Sequence, residues 1–251
     1  MSIGLFGAAF AIGGDENALA TTASTLVRPV ALPFLWRSLV DASSNGDARE
    51  AWERAQLLLL ATPGWADGHS VFAYRFALDG GDTVLPPLER VLAARDRLRL
   101  SLRFLEDARA NCKQREIQLL SDMAWLVELA VRNEPEIAPQ LGVDPAVLID
   151  GYLAQAEALG AGRMVREQRL YEVPRLCAAM LAAGDRARAL AVLDSAIDRA
   201  SQQPDPALNE EWRTVLQAVR RDLDGSNAAD PEGRTARKAD PRLQPLAPFL
   251  R

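Results

Sequence analysis

Few side chains in this chain of 251 residues could support acid–base, nucleophilic or metal chemistry. His69 is the single histidine, so a metal centre with several histidine ligands is excluded, and a Ser-His-Asp triad would have to use this one residue. No Gly-x-Ser-x-Gly turn accompanies it. We therefore expect His69 to pack inside a helical protein, and we predict no catalytic residue.

Cofactor and metal motifs are missing as well. Cys112 and Cys177 lie far apart and form no Cys-x-x-Cys pair, which excludes a disulfide scaffold and a zinc or redox motif. Gly160 and Gly162 lack the longer glycine pattern of a dinucleotide site, and no Gly-Lys-Ser phosphate loop is present. We predict no cofactor and no metal, and two buried thiols in a reducing, cytoplasmic compartment.

One segment is basic enough to bind anions. Residues 88–115 contain eight basic and four acidic side chains, and contacts of basic side chains with phosphate give salt-dependent affinity for nucleic acids. However, the acids are interleaved with the bases, no exposed-looking aromatic offers base stacking, and the whole chain carries a net charge of -5. A solvated helix face is the favoured interpretation, and an Arg-rich nucleic-acid or anion binder is the alternative.

Composition and periodicity predict an all-α protein. Hydrophobic residues form 49% and charged residues 25% of the chain, which is typical of a globular protein. Alanine and leucine far outnumber β-branched residues, and no alternating strand pattern occurs. The clearest helix has apolar residues at steps of three and four, at Ile117, Leu120, Ala124, Val127 and Val131.

The chain is predicted to divide into three parts. Residues 1–31 hold an apolar segment, Ile3–Ile12, and a weak helix. As a helix the segment would span about 15 Å, half of a bilayer core, and no basic residue precedes Arg28, so we expect it to pack on the first helices. Residues 32–223 form a helical repeat domain. Residues 224–251 lack periodicity and are predicted to be a flexible tail, whose apolar end could enter a groove of a partner or of this protein.

A repeat is the most informative feature of the helical domain. Gly46 and Gly80 lie 34 residues apart, as do Leu39 and Ala73, and each glycine ends a predicted helix. The segment His69–Phe76, with Phe72, Ala73 and Phe76 at spacings of one and three, precedes the second glycine. It resembles the first-helix signature of the tetratricopeptide repeat, a helix–turn–helix unit of the same period. Similar units cover residues 32–100 and 171–201.

The resemblance implies antiparallel helical hairpins stacked as a right-handed superhelix. Small residues such as Ala51, Ala73 and Ala189 would let helices approach closely, and stacking would bury the apolar faces. In that family the first helices line a concave groove that receives peptides. On this resemblance the groove residues would be Trp36, Arg37, Val40, Asp67, Ser70 and Tyr74, with Arg75 at the edge.

The expected function is a non-enzymatic scaffold or adaptor that binds a protein or peptide segment. We expect the double substitution Trp36→Ala and Tyr74→Ala to abolish partner capture while the helices remain intact. Two alternatives stay open, namely the nucleic-acid or anion binder and an α-helical small-ligand receptor or enzyme. A single closed pocket with convergent polar groups would distinguish the latter from an open groove.

Overall fold

A computed structural model describes residues 31–42, 44–45, 48–78, 85–201, 206–226 and 230–250. Every regular element in these ranges is a helix, which confirms the all-α prediction. Three 3-10 helices are Lys113–Arg115, Pro135–Gln140 and Pro241–Phe249. The α-helices are α1 (residues 31–42), α2 (Ala48–Ala61), α3 (Ala66–Leu78), α4 (Pro87–Arg109), α5 (Glu116–Asn133), α6 (Pro145–Ala158), α7 (Arg163–Ala182), α8 (Arg186–Ser201), α9 (Pro206–Asp224) and α10 (Pro231–Ala239).

Helix boundaries follow local backbone chemistry. Before α6, the Asp144 carboxylate accepts the backbone N–H of Ala146 at 2.8 Å, and Pro145 occupies the first turn, where its missing N–H costs no hydrogen bond. Gly160 and Gly184 follow α6 and α7 with φ angles of 86° and 80°. Glycine adopts this left-handed conformation without strain, so both helices end cleanly.

Helices that follow each other in sequence pack together from α2 to α9, and α3 also packs against α5. Ala73 and Ala189 lie at two of these contacts and are fully buried, as expected for contact-line residues, whereas Ala51 is half-buried. The buried Ser101 hydroxyl of α4 donates to the Ala73 carbonyl at 3.0 Å. Cys177 of α7 donates through Sγ to the Ala189 carbonyl of α8 at 3.6 Å. Small side chains thus permit close helix approach.

The hydrophobic core is distributed along the chain. One cluster joins α1, α2 and α3 through Leu39, Leu58 and Phe72. A second extends over α3 to α6, and a third joins α6 to α9 with the C-terminal residues. Such a succession is what an array of stacked helices produces, because each helix buries its apolar face against its neighbours.

The C-terminal residues differ from the flexible tail predicted over 224–251. Residues 231–239 form α10, and residues 241–249 form a 3-10 helix that packs on α7. Leu243, Leu246 and Leu250 are each at most 1% exposed and belong to the third core cluster. Burial of three leucines provides the free energy that orders this segment, which we call the C-terminal cover (residues 230–250).

Ion pairs also hold the C-terminal cover to α9. The Asp222 side chain is fully buried, and both of its oxygens accept hydrogen bonds from Arg237, from Nε at 2.6 Å and from Nη2 at 2.9 Å. The Arg242 guanidinium lies 5.1 Å from the ring centroid of Trp212 and binds Glu211 at 3.0 Å. Paired geometry of this kind compensates the desolvation of the buried carboxylate.

Some predictions concern residues outside the described ranges. These are the packing of the N-terminal apolar segment and the two turn glycines, Gly46 and Gly80. Within the described ranges, the helices are all too short or too polar to cross a bilayer.

Candidate partner-binding face

An apolar pocket lies at the N-terminal end of the helical array, with a volume of about 440 Å³. Trp36 and Trp65 form part of its wall with ring centroids 6.3 Å apart, and they are 51% and 38% exposed. The Thr62 hydroxyl donates to the Leu58 carbonyl at 2.8 Å, so its proton is not available to a ligand. The pocket therefore suits an apolar side chain. Its lining is Leu32, Pro33, Trp36, Leu58, Thr62 and Trp65.

Aromatic packing positions this pocket, which we call the Trp36–Trp65 pocket. Trp65 stands edge-on to Phe72 of α3, with the centroids 6.5 Å apart. On α2, Trp52 stacks on Phe76 of α3 with a centroid distance of 4.3 Å. Offset and edge-on aromatic contacts are favourable beyond their buried area, so α1, α2 and α3 are held in a defined arrangement around the pocket.

Three of the predicted groove residues lie together on α3, where their side chains contact α5: Asp67, Ser70 and Tyr74. The Ser70 hydroxyl donates to the Asp122 carboxylate, and the Tyr74 hydroxyl donates to the Asp122 backbone carbonyl at 2.8 Å. Asp67 accepts from the Gln118 amide at 2.6 Å. Ser70 is buried and Tyr74 half-buried, so these hydrogen bonds join helices. We call the five residues the α3–α5 seam.

Electrostatics at the α3–α5 seam disfavour an anionic ligand. Burial raises the pKa of Asp122, and nearby Asp67 raises it further, while the Ser70 hydrogen bond opposes the shift. Burial and the Asp122 charge also raise the pKa of Tyr74. A further negative charge here would be repelled by two carboxyl groups, so an anionic peptide group does not suit this surface.

The other predicted groove residues lie on exposed helix surface. Trp36, Arg37 and Val40 share the exposed side of α1, with Val40 48% exposed. Arg75 is exposed on α3 one turn after Val71, which is 55% exposed and was not predicted. The predicted groove residues therefore form two groups. One is exposed on α1 and α3 and consists of Trp36, Arg37, Val40 and Arg75, and the other consists of the three α3 residues of the α3–α5 seam.

Sequence reasoning missed Trp125, a 43% exposed residue of α5. Each helical residue advances by about 100°, so Trp125 lies on α5 between Asp122, which contacts α3, and Glu128. Glu128 pairs with Arg175 of α7 at 3.5 Å. The available signal was that Trp125 follows Ala124 and stands outside the apolar stripe of this helix. A large aromatic outside the core stripe indicates exposure.

Tyr171 extends this exposed aromatic surface onto α7. It is 46% exposed, its ring centroid lies 5.6 Å from that of Trp212 in α9, and Arg175 is one turn away. Trp36 of α1 contacts Trp65, the residue before α3. The α3–α5 seam joins α3 to α5, and Glu128 of α5 pairs with Arg175 of α7. We define the odd-helix face as seven exposed residues of these four helices: Trp36, Arg37, Val40, Val71, Arg75, Trp125 and Tyr171.

His69 is a buried packing residue. It is 7% exposed, its ring lies 5.1 Å from Phe104, and its Nε2 lies within hydrogen-bond distance of the Pro63 carbonyl at 3.2 Å. Within the described chain, its Nδ1 has no hydrogen-bond partner. Burial lowers the pKa of His69, which favours the neutral imidazole.

Both cysteines are free and buried. Cys112 donates through Sγ to the Pro63 carbonyl at 3.3 Å, the acceptor that His69 also contacts. Burial raises the pKa of Cys112 and raises that of Cys177 to about 12. The described residues contain no cluster of three or more metal-binding side chains.

Protein groups engage most of the basic side chains between residues 88 and 115. The Arg99 guanidinium donates to the Leu141 carbonyl at 2.9 Å, and Arg109 pairs with Glu106 and Glu116. Such contacts reduce the charge available to phosphate. Side chains that make contacts of this type include Arg90, Arg95, Arg99, Arg109, Lys113 and Arg115.

Comparisons with known proteins give no match, whether with protein families, with curated proteins or with solved structures.

Proposed function

We propose that this protein is a non-enzymatic scaffold that binds a peptide segment of a partner protein on the odd-helix face. The Trp36–Trp65 pocket carries the proposal. It is open, its lining is apolar, and its volume of about 440 Å³ accommodates one large aliphatic or aromatic side chain of a peptide. Exposed Trp125 and Tyr171 would contact the rest of the peptide, since aromatic side chains dominate the energetics of such interfaces.

The proposal includes the finer architecture, a tetratricopeptide-like right-handed superhelix. Sequential helix packing, a core in successive clusters and buried Ala73 and Ala189 on the contact lines support it. In such an array the odd-numbered helices are the first helices of their hairpins. They form the groove side, on which Trp36, Trp125 and Tyr171 are exposed.

The alternatives receive less support from the same residues. The Trp36–Trp65 pocket offers no convergent polar groups for a small substrate, and His69 is buried against Phe104. The basic side chains of α4 are largely bonded to protein acceptors, which weakens the case for nucleic acid. Free, buried Cys112 and Cys177 support the cytoplasmic location that we propose.

A peptide display library screened against the full chain tests the proposal. We expect selected peptides to share a large apolar residue and to lose at least tenfold in affinity with Trp36→Ala. Trp125→Ala should weaken the same peptides, and it replaces Tyr74→Ala as a probe because Tyr74 also holds the α3–α5 seam. The matched control is Leu88→Ala, since Leu88 is 66% exposed but lies on α4.

Circular dichroism should show unchanged helix content for all three variants. Peptides that bind equally to wild type and Trp36→Ala would refute the pocket as the binding site. Binding that requires a phosphorylated or nucleic-acid ligand and falls with salt would favour the anion-binding alternative instead.

A further inference from the structure

The two ends of the helical array differ. At the C-terminal end, the C-terminal cover buries Leu243, Leu246 and Leu250 against the last helices. At the N-terminal end, Phe34 of α1 is 72% exposed and Leu60 of α2 is 76% exposed, beside the open Trp36–Trp65 pocket. Stacked-helix proteins require both terminal units to be covered or polar, because an uncovered apolar end favours association. Among the residues that the structure describes, none therefore covers the N-terminal end.

The chain itself contains a segment of matching chemistry. Thirty residues precede the first described one, and among them Ile3–Ile12 has no charged side chain and includes Leu5, Phe6 and Phe10. The pocket lining has no charged side chain either. A basic or acidic partner segment would find no counter-charge in the pocket, whereas an aromatic ring of this segment would bury apolar area at no electrostatic cost.

Geometry permits this segment to reach the pocket. Two of the lining residues, Leu32 and Pro33, stand at the start of α1, so the preceding chain departs from the rim of the pocket. The 18 residues between Ile12 and residue 31 can extend over roughly 60 Å, far more than a return to the same helix requires. A segment tethered by so short a linker has a local concentration in the millimolar range, which favours it over a free competitor.

We propose that the segment Ile3–Ile12 inserts Phe6 or Phe10 into the Trp36–Trp65 pocket and covers the N-terminal end of the array. The proposal uses the pocket of the proposed function, and it makes this segment an intramolecular competitor of the partner peptide. A partner must then displace it, so the tethered segment sets an affinity threshold for binding.

Photo-cross-linking in the full chain tests this docking directly. Benzoylphenylalanine is placed at position 6 or 10 and, as the matched control, at position 22 in the linker. An equal mixture of light and ¹⁵N-labelled chains is irradiated and digested. We expect cross-links from positions 6 and 10 to peptides containing Trp36 or Trp65, within chains of a single isotope, and few such links from position 22.

Cross-links between a light and a labelled chain would show that a second copy occupies the pocket, and would overturn the proposal. Cross-links to other helices, or no cross-link above the level of the control, would also overturn it. This readout needs no partner, so it is independent of whether displayed peptides bind. When they do bind, Phe6→Ser combined with Phe10→Ser should tighten their binding severalfold, and unchanged affinity would exclude competition.

Discussion

Leu246→Ala tests how firmly the C-terminal cover is bound to the array. Leu246 belongs to the C-terminal cover and is fully buried. Together with Leu243 and Leu250 it lies in the core cluster that includes residues of α7 and α9. Removing the buried side chain should cost about 2 to 5 kcal/mol, because transfer free energy is lost and a cavity remains. Since 1.4 kcal/mol corresponds to a factor of ten, the undocked population should rise about thirtyfold even at the lower limit.

Limited trypsin digestion measures that population. The bond after Arg242 is a suitable cleavage site, because Arg242 is held by Glu211 and the ring of Trp212 in the docked state. We expect faster cleavage there in Leu246→Ala, whereas Glu232→Gln, a change at an exposed residue of the same cover, serves as the control and should cleave at the wild-type rate. Equal cleavage of wild type and Leu246→Ala would refute the view that leucine burial orders this segment.

Further predictions concern pH, packing and the α3–α5 seam. Because the pKa of His69 is lowered on folding, the free energy of unfolding should fall as pH drops below the unfolded value of 6.5, and urea titrations at pH 7.5 and 5.5 should show a smaller fall in His69→Gln. An equal fall in both proteins would show that other groups cause it. Ala73→Leu should overpack the contact of α3 with α4 and cost about 1 to 3 kcal/mol, whereas Val71→Leu on the exposed side should change stability little, and equal melting temperatures would contradict the packing. Tyr74→Phe should cost about 1 kcal/mol in urea denaturation by removing one hydrogen bond to Asp122, and an unchanged midpoint would mean that the seam adds no stability.

Helices with regular apolar spacing could be predicted from the sequence, and the C-terminal cover could not. In α5, Leu120, Ala124 and Val127 repeat at steps of three and four and are all fully buried. The cover is short and rich in proline, so its periodicity is weak. Even so, Asp230-Pro231 repeats the Asp144-Pro145 pair that begins α6, and the Asp230 carboxylate accepts the Gly233 N–H at 2.9 Å.

The surroundings of the predicted groove residues could be predicted only in part. The resemblance to the tetratricopeptide repeat implied that Trp36 and Val40 line a groove, and both residues are exposed on α1 in the structure. It could not reveal that Ser70 and Tyr74 would meet Asp122, because this partner lies about fifty residues away and its side of α5 depends on helix packing. Local periodicity predicts which face of a helix is apolar. Which other helix packs against a given face depends on the tertiary structure.

The two buried thiols have a practical consequence for spectroscopy. Cys112 and Cys177 are at most 3% exposed, and a pKa of about 12 leaves Cys177 almost without thiolate at neutral pH. A maleimide dye will therefore react selectively with a cysteine introduced at the surface, and the native thiols need no replacement. Donor and acceptor dyes on α1 and α9 would then report, through energy transfer, how far the array bends when a ligand is added.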